Sequence, residues 1–207
     1  MEGARALPSL TDGVVQLRPF SEQDAPALAA IWTDPEIRAR NTVPEPSEDA
    51  AREWVARSAA RAAAGDAWEW AVVAAASGEL AGRFALKEID WARRRAEAAT
   101  WVAPRFRGRR FAARSLRLAA AHAFAHGMVR IHAECDTDNE ASVRALLAAG
   151  MRHEGTLRAW FVPAEGDPLD QHVFGMLPAD LAGAAAFPGP WQHPIRPPLG
   201  GGRARDS

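Results

Sequence analysis

From Trp101 to His126 the chain reads WVAPRFRGRRFAARSLRLAAAHAFAH. An extended apolar segment meets Pro104, crosses a short arginine-loaded loop around Gly108 and opens into a long alanine-rich helix at about Ala112. Strand, loop and helix in that order mark an α/β chain. They also mark a place where a ligand can bind. A helix start exposes unsatisfied backbone N–H groups and the positive end of the macrodipole, so a loop that delivers further N–H groups there suits a phosphate. Arg105, Arg107, Arg109, Arg110, Arg114 and Arg117 are expected to surround that point with positive charge. The ligand predicted by this pattern is polyanionic and phosphate-bearing, although an arginine run at a helix start serves equally as a solvated face.

With 207 residues, 48% hydrophobic and 25% charged, the chain can bury a core of its own. One domain over residues 1–187 is expected. From Pro188 onward Pro, Gly and Arg dominate, no apolar period is visible, and the tail 188–207 is expected to be disordered. A net charge of -1 argues against a surface built throughout for nucleic acid, so the basic loop reads as a site rather than a coat. Cys135 is the sole cysteine, which excludes an internal disulfide and a multi-cysteine zinc site and fits a reducing compartment. No apolar run approaches the roughly 18 residues of a membrane-spanning helix, and the first residues lack a signal-type core. The expectation is a cytoplasmic protein without membrane contact.

Along the chain, Val15 and Leu17 alternate with Gln16 and Arg18 in a strand that stops at Pro19. Ser21 or Asp24 caps a helix carrying Leu28, Ile31 and Trp32, with Asp24 the better cap because it leaves Pro26 in the first turn. Asp34-Pro35 starts a further short turn or helix, and Pro44 and Pro46 mark a loop. Ser47, followed by Glu48 and Asp49, opens a helix that Gly65 ends, with Trp54 and Val55 toward the core. A meander over 68–75, 80–89 and 96–103 follows. The central helix ends at His126-Gly127; a strand over 129–135, a helix from Asp138-Asn139 to Gly150, and two strands over 151–161 and 172–177, joined by a turn across 163–168, complete the reading.

The run Arg107-Gly108-Arg109-Arg110-Phe111-Ala112 resembles the acyl-CoA pyrophosphate loop of the GNAT N-acetyltransferase superfamily, R/Q-x-x-G-x-G/A, with Arg110 at the usual glycine. VRIHAECDTDNEASVRALLAAG, from Val129 to Gly150, is similar to the family's strand, Asn and helix segment. The following Met-Arg-His-Glu-Gly-Thr-Leu-Arg resembles its "G-F-x-x-E-G-x-L-R" ending, and Asp170 matches a late acidic position. The match covers roughly residues 12 to 178 and resembles most the subgroup that acetylates ribosomal-protein N-termini at alanine or serine. It implies an α+β GNAT fold: a mixed, mostly antiparallel central sheet of about seven strands, helices on both faces, and a cleft for acyl-CoA splayed between the strands ending at Ala103 and Cys135. Backbone groups of Trp101, Val102 and Ala103 would pair with the pantetheine arm, and one N–H would polarise the thioester carbonyl. Residues Arg107 to Ala112 would hold the pyrophosphate; Asn139 would contact the pantetheine, or else act as a helix cap.

The resemblance implies transfer of an acyl group, acetyl in the first place, from acetyl-CoA to a primary amine of a protein N-terminus or a small molecule, by direct attack in a ternary complex and without a metal. The tyrosine acid common in the family falls at Leu146, and the chain has no tyrosine. Ser142, three residues after Asn139, matches the ribosomal subgroup's thiolate donor, or is a small residue packed at a helix start. Two glutamates match family bases: Glu134, five residues before Asn139, and Glu97, on the strand used by histone-type members. Each could equally sit on a solvated face or pair with an arginine. His122 and His126 share a helix face at i, i+4 but lack a carboxylate or thiolate at ligand spacing, and read as surface or capping residues. Cys135 reads as a packed thiol rather than a nucleophile. Three alternatives stay open: another acyl group such as succinyl, a nucleic-acid-binding module using the arginine loop, and a non-catalytic CoA-binding sensor. The oligomeric state, a homodimer included, is open as well.

Overall fold

Alternating apolar segments separated by turn residues pair into a single sheet. The computed structural model describes residues 7–162 and 166–183. These residues build strands β1 (Leu10–Thr11), β2 (Val15–Pro19), β3 (Trp68–Ala74), β4 (Leu80–Asp90), β5 (Arg95–Val102), β6 (Arg130–Asp136), β7 (Arg152–Phe161) and β8 (Leu169–Met176). The helices are α1 (Ala25–Ile31), α2 (Pro35–Arg40), α3 (Glu48–Ala64), α4 (Phe111–Ala125), α5 (Glu140–Ala149) and α6 (Pro178–Gly183). The sheet order is β1-β2-β3-β4-β5-β6-β8-β7. Every neighbouring pair is antiparallel except β5 and β6, which are parallel and joined through α4.

Helices cover both faces, as expected. On one face α4 buries Ala113, Leu116, Ala119, Ala120 and Ala123, a stripe at helical spacing, against Trp70, Val72, Phe84, Ala98 and Ile131. Its alanines let the helix lie close to the sheet; burying Leu116 alone contributes about 2 kcal/mol. On the other face Leu28 of α1, Trp32 at its C-cap, and Ala51 and Val55 of α3 cover Ala71, Val73, Leu80 and Trp101. Capping agrees with the sequence at α3, where the Ser47 hydroxyl accepts from the Ala50 N–H at 3.1 Å and Gly65 closes the helix at φ 78°.

Two elements go beyond the sequence reading, and one expectation needs correction. The strands number eight among the described residues, because Leu10–Thr11 pairs with β2; two residues are too few to show alternation. Helix α6 was not foreseen. Asp24 does not cap α1 with its side chain: its carboxylate turns back to accept from the Ser21 N–H at 2.9 Å and to pair with Arg18 at 2.6 Å. The expected tail 188–207 and part of the 163–168 turn lie outside the described residues.

What positions the site is the parallel junction. β5 and β6 pair only over Arg95/Arg130, Ala96/Ile131 and Glu97/His132, although β5 runs on to Val102 and β6 to Asp136. Beyond Glu97 the two strands part, so the edge of β5 that faces β6 has no strand partner there, the Val102 C=O being taken by Arg107. This is the splay expected between strands ending near Ala103 and Cys135.

Candidate active site

A cavity of about 1350 Å³ opens along the splay. Every residue predicted for the site lines it except Ala103 and Arg109. Ala103 is spent on the sheet: its N–H donates to Ala81 C=O at 2.8 Å and is therefore not the amide that polarises a carbonyl.

One end of the cavity is the start of α4. The first intrahelical bond runs from the Arg114 N–H to Arg110 C=O, so the N–H groups of Phe111, Ala112 and Ala113 have no acceptor within the helix. Gly108 (φ 74°) and Arg110 (φ 64°) are both left-handed and turn the loop into the helix. Arg110 stands where the resembled pattern has glycine, and a side chain in that conformation costs about 1–2 kcal/mol. The expected ring of positive charge is mostly consumed internally. Arg107 reaches Glu36 at 2.7 Å, Asp34 at 2.6 Å and Val102 C=O at 3.2 Å; Arg105 pairs with Glu79, Arg114 with Asp12, and Arg117 donates to Ala149 C=O. Arg109 lies over the Phe106 ring. Arg107 is thus a clamp between this loop and α2 rather than a phosphate ligand, and anion binding falls to the backbone amides and the helix dipole. A clamp of the same kind holds the far end of α2, where Arg40 meets Asp136 and Asp138 at 2.9 Å each.

At the other end, β6 delivers Cys135 beside α5. The Asn139 side chain accepts from the Ser142 N–H at 3.1 Å, so Asn139 is a helix cap that also lines the cavity. The capped turn sets the Ser142 hydroxyl on the Cys135 sulfur. Burial pushes the Cys135 thiol up to about 11, with the Ser142 hydrogen bond opposing the rise. Cys135 is accordingly a packed thiol, as expected, with Ser142 beside it.

The two glutamates share one face of the sheet, the face under α1 and α3. Register places Glu69, Arg83, Lys87, Glu97 and Trp101 on that face of β3 to β5, and the Glu97/His132 pairing continues it through His132, Glu134 and Asp136. Glu97 is held by Lys87 at 2.9 Å. Glu134 accepts from the Trp160 indole N–H at 2.7 Å, a neutral donor that leaves the carboxylate its charge and its remaining lone pairs. Sequence reasoning missed Trp160, which reaches Glu134 across 26 residues, the Arg107 and Arg40 clamps on α2, and the Trp32, Trp54 and Arg83 wall. No local pattern signals such partners; only the fold brings them together.

His126 is an exposed capping residue, as expected, whereas His122 is partly buried. Their rings lie 4.2 Å apart, with His122 against Trp68 and Trp70, and His126 Nδ1 is 2.8 Å from His122 C=O at the end of α4. Among the described residues no three His, Cys, Asp or Glu side chains are grouped to hold a metal ion, and no helix is long and apolar enough to cross a membrane.

Comparison with known proteins converges on one family. The acetyltransferase (GNAT) domain model matches residues 15–152. The uncharacterised N-acetyltransferase YoaA of Bacillus subtilis is 30% identical over 169 residues, covering 81% of this chain and 94% of its own. Among solved structures, Mycobacterium smegmatis RimJ in complex with CoA-disulfide superposes with a TM-score of 0.74 at 23% identity, over 87% of this chain and 92% of that one. The Salmonella typhimurium acetyltransferase that modifies the N-terminal serine of a 50S ribosomal subunit protein gives a TM-score of 0.71 at 20% identity, over 79% and 95%. At these identities the two structures speak for the fold.

Proposed function

The chain belongs to the acetyltransferase (GNAT) family, and on that footing we propose that it transfers acetyl from acetyl-CoA to a primary amine by direct attack within a ternary complex. The observation that carries this reading is the splay of β5 from β6, with free helix amides at one end and a serine-bonded sulfur site at the other. The pyrophosphate of acetyl-CoA lies on the amides of Phe111 to Ala113, and the pantetheine arm runs along the open edge of β5 as a substitute strand. The thioester then comes to rest beside Ser142 and Cys135.

An ammonium has no lone pair, so a proton must leave before the amine attacks. Glu134 takes it through a water; Glu97, already neutralised by Lys87, is the second choice. The nitrogen adds to the thioester carbon, a β5 backbone N–H stabilises the oxyanion, the C–S bond breaks, and the second proton of the nitrogen passes to the thiolate sulfur, giving the amide and the CoA thiol. Ser142 donates a hydrogen bond to the sulfur as the thiolate departs. An N-terminal amine is the favoured acceptor, since the Salmonella typhimurium relative acts on one. The internal neutralisation of Arg105, Arg107 and Arg114 counts against nucleic acid as the ligand of the loop.

The test is direct. Acetyl-CoA and CoA are expected to raise the melting temperature with saturable dependence, and acetyl-CoA to be consumed with dipeptides bearing a free N-terminus. An unchanged melting curve at saturating CoA would remove the reading.

A further inference from the structure

The acceptor side of the cavity holds charge that the transfer chemistry does not use. Glu69 is 3% exposed and sits between two arginines, Arg83 at 2.6 Å and Arg61 at 3.2 Å. Two cations against one buried carboxylate leave a surplus positive charge in the cavity wall, and Arg83, with a side chain 15% exposed, holds it farther from water than Arg61 at 47%. The Arg83 Nε is buried and has no hydrogen-bond partner among the described residues. The same is true of the indole N–H of Trp32, a fully buried residue. Both flank Trp54, whose ring lies 5.7 Å from the Arg83 guanidinium carbon and 6.0 Å from the Trp32 ring, and all three line the cavity. Buried donors are nearly always satisfied, and an unsatisfied one costs roughly 1–3 kcal/mol. Two of them lie on either side of Trp54, one of them on the arginine that carries the surplus charge, and an acceptor group with negative charge would answer that arginine.

We propose that Arg83, backed by Glu69 and Arg61 and walled by Trp32 and Trp54, binds a carboxylate of the acceptor, so that the enzyme acetylates amines carrying a carboxylate some two residues away. This assignment rests on the acyl-transfer reading above and names its substrate class. The spacing follows from the register. Arg83 lies opposite Trp101 on β5, and Glu134 lies two residues beyond His132, the partner of Glu97. The offset is therefore two residues along the strands and two strands across, at least about 12 Å between Cα atoms because β5 and β6 diverge. Side chains that stand off one face preserve that separation. As the strands diverge it accommodates about two extended residues, some 7 Å, a hydrogen bond to Arg83 at one end and the water-mediated contact to Glu134 at the other. An amine at Glu134 and a carboxylate at Arg83 thus describe a dipeptide-sized zwitterion, and the charges of the cleft, negative at β6 and positive at β4, match its ends.

The experiment compares L-alanyl-L-alanine with L-alanyl-L-alaninamide, which has the same amine but no carboxylate. The wild-type protein is expected to favour the free acid in kcat/KM by at least about tenfold, as for a charge-assisted hydrogen bond in a partly buried site. In Arg83→Met, and in Glu69→Gln/Arg83→Met, which removes the buried pair as a unit and protects the fold, that ratio falls toward one. CoA-induced stabilisation of each variant confirms that it is folded. Equal rates for acid and amide in the wild type overturn the carboxylate site and leave amine acetylation standing. If neither peptide is acetylated, the acyl-transfer reading fails for this class, and the site is judged by binding. Stabilisation of the CoA-bound wild type by the free acid, absent with the amide and in Arg83→Met, upholds it; no stabilisation overturns it.

Discussion

Replacing Glu134 by Gln tests the proposed proton path with little structural disturbance. Glutamine is isosteric with glutamate, and its carbonyl can still accept from the Trp160 indole, so the 2.7 Å contact and the local shape persist. Trp160 is 56% exposed, which places that hydrogen bond in contact with water and limits the stability change to about 0.5 kcal/mol. The basic oxygen is lost. A general base contributes roughly 10²–10⁴-fold, or about 3–5 kcal/mol of barrier, so single-turnover acetylation at saturating acetyl-CoA should fall by that factor near neutral pH. The deficit should shrink as pH rises past about 8, where an N-terminal amine loses its proton unaided. Glu97→Gln provides the contrast. It breaks a partly exposed pair with Lys87, costing at most about 1 kcal/mol of stability, and should slow transfer only a few-fold. Rapid-quench measurement on both variants, with CoA-dependent melting as a folding control, decides the matter. Glu134→Gln within about threefold of wild type would refute the proton path through Glu134; a large loss in Glu97→Gln instead would move the base to β5.

Further perturbations probe the parts around the base. Arg107→Met severs the links from the loop to Asp34, Glu36 and Val102; with the side chain 35% exposed, about 1 kcal/mol of stability should be lost, read by urea denaturation, together with weaker acetyl-CoA binding. Gly82→Ala would place a Cβ 2.3 Å from the Trp101 carbonyl oxygen, forcing β4 from β5 at a cost of roughly 1–3 kcal/mol, visible as a lower melting temperature and reduced CoA stabilisation. Ser142→Ala should reduce turnover by about tenfold, since solvent partly replaces one hydrogen bond to the leaving thiolate, with acetyl-CoA affinity little changed. Burial holds His122 and His172 below the usual histidine value, helped by His126 and His153 respectively. The folded state then binds fewer protons than the unfolded one, so stability is full above about pH 6.5 and declines as pH falls through that value. Urea melts at about pH 7.5 and 5.5 should show this, and His122→Gln should reduce the difference.

Much of this molecule is written in its local sequence. The strand, arginine loop and alanine helix from Trp101 to His126, the Ser47 and Gly65 boundaries of α3, and the Asn139 cap of α5 all follow from periodicity and capping, which depend on residues within a turn of one another. The resemblance carried by Arg107 to Ala112 and by the Val129 to Gly150 segment gave the family and the splayed sheet for the same reason: a loop of amides at a helix start needs few residues to announce itself. What the arginines would do was not legible. Arg107 looks like a phosphate ligand from its neighbours, yet its charge is taken by Asp34 and Glu36, 73 and 71 residues earlier. Glu134 and Glu97 could not be ranked until Trp160 and Lys87 appeared beside them. The Glu69, Arg83 and Arg61 cluster, with the tryptophan wall around it, comes from three elements that no motif connects. Periodicity and caps are short-range properties and survive in a string of letters. Charge neutralisation and hydrogen-bond satisfaction are decided by whichever groups the folded chain brings within a few ångströms, so they belong to the tertiary structure alone.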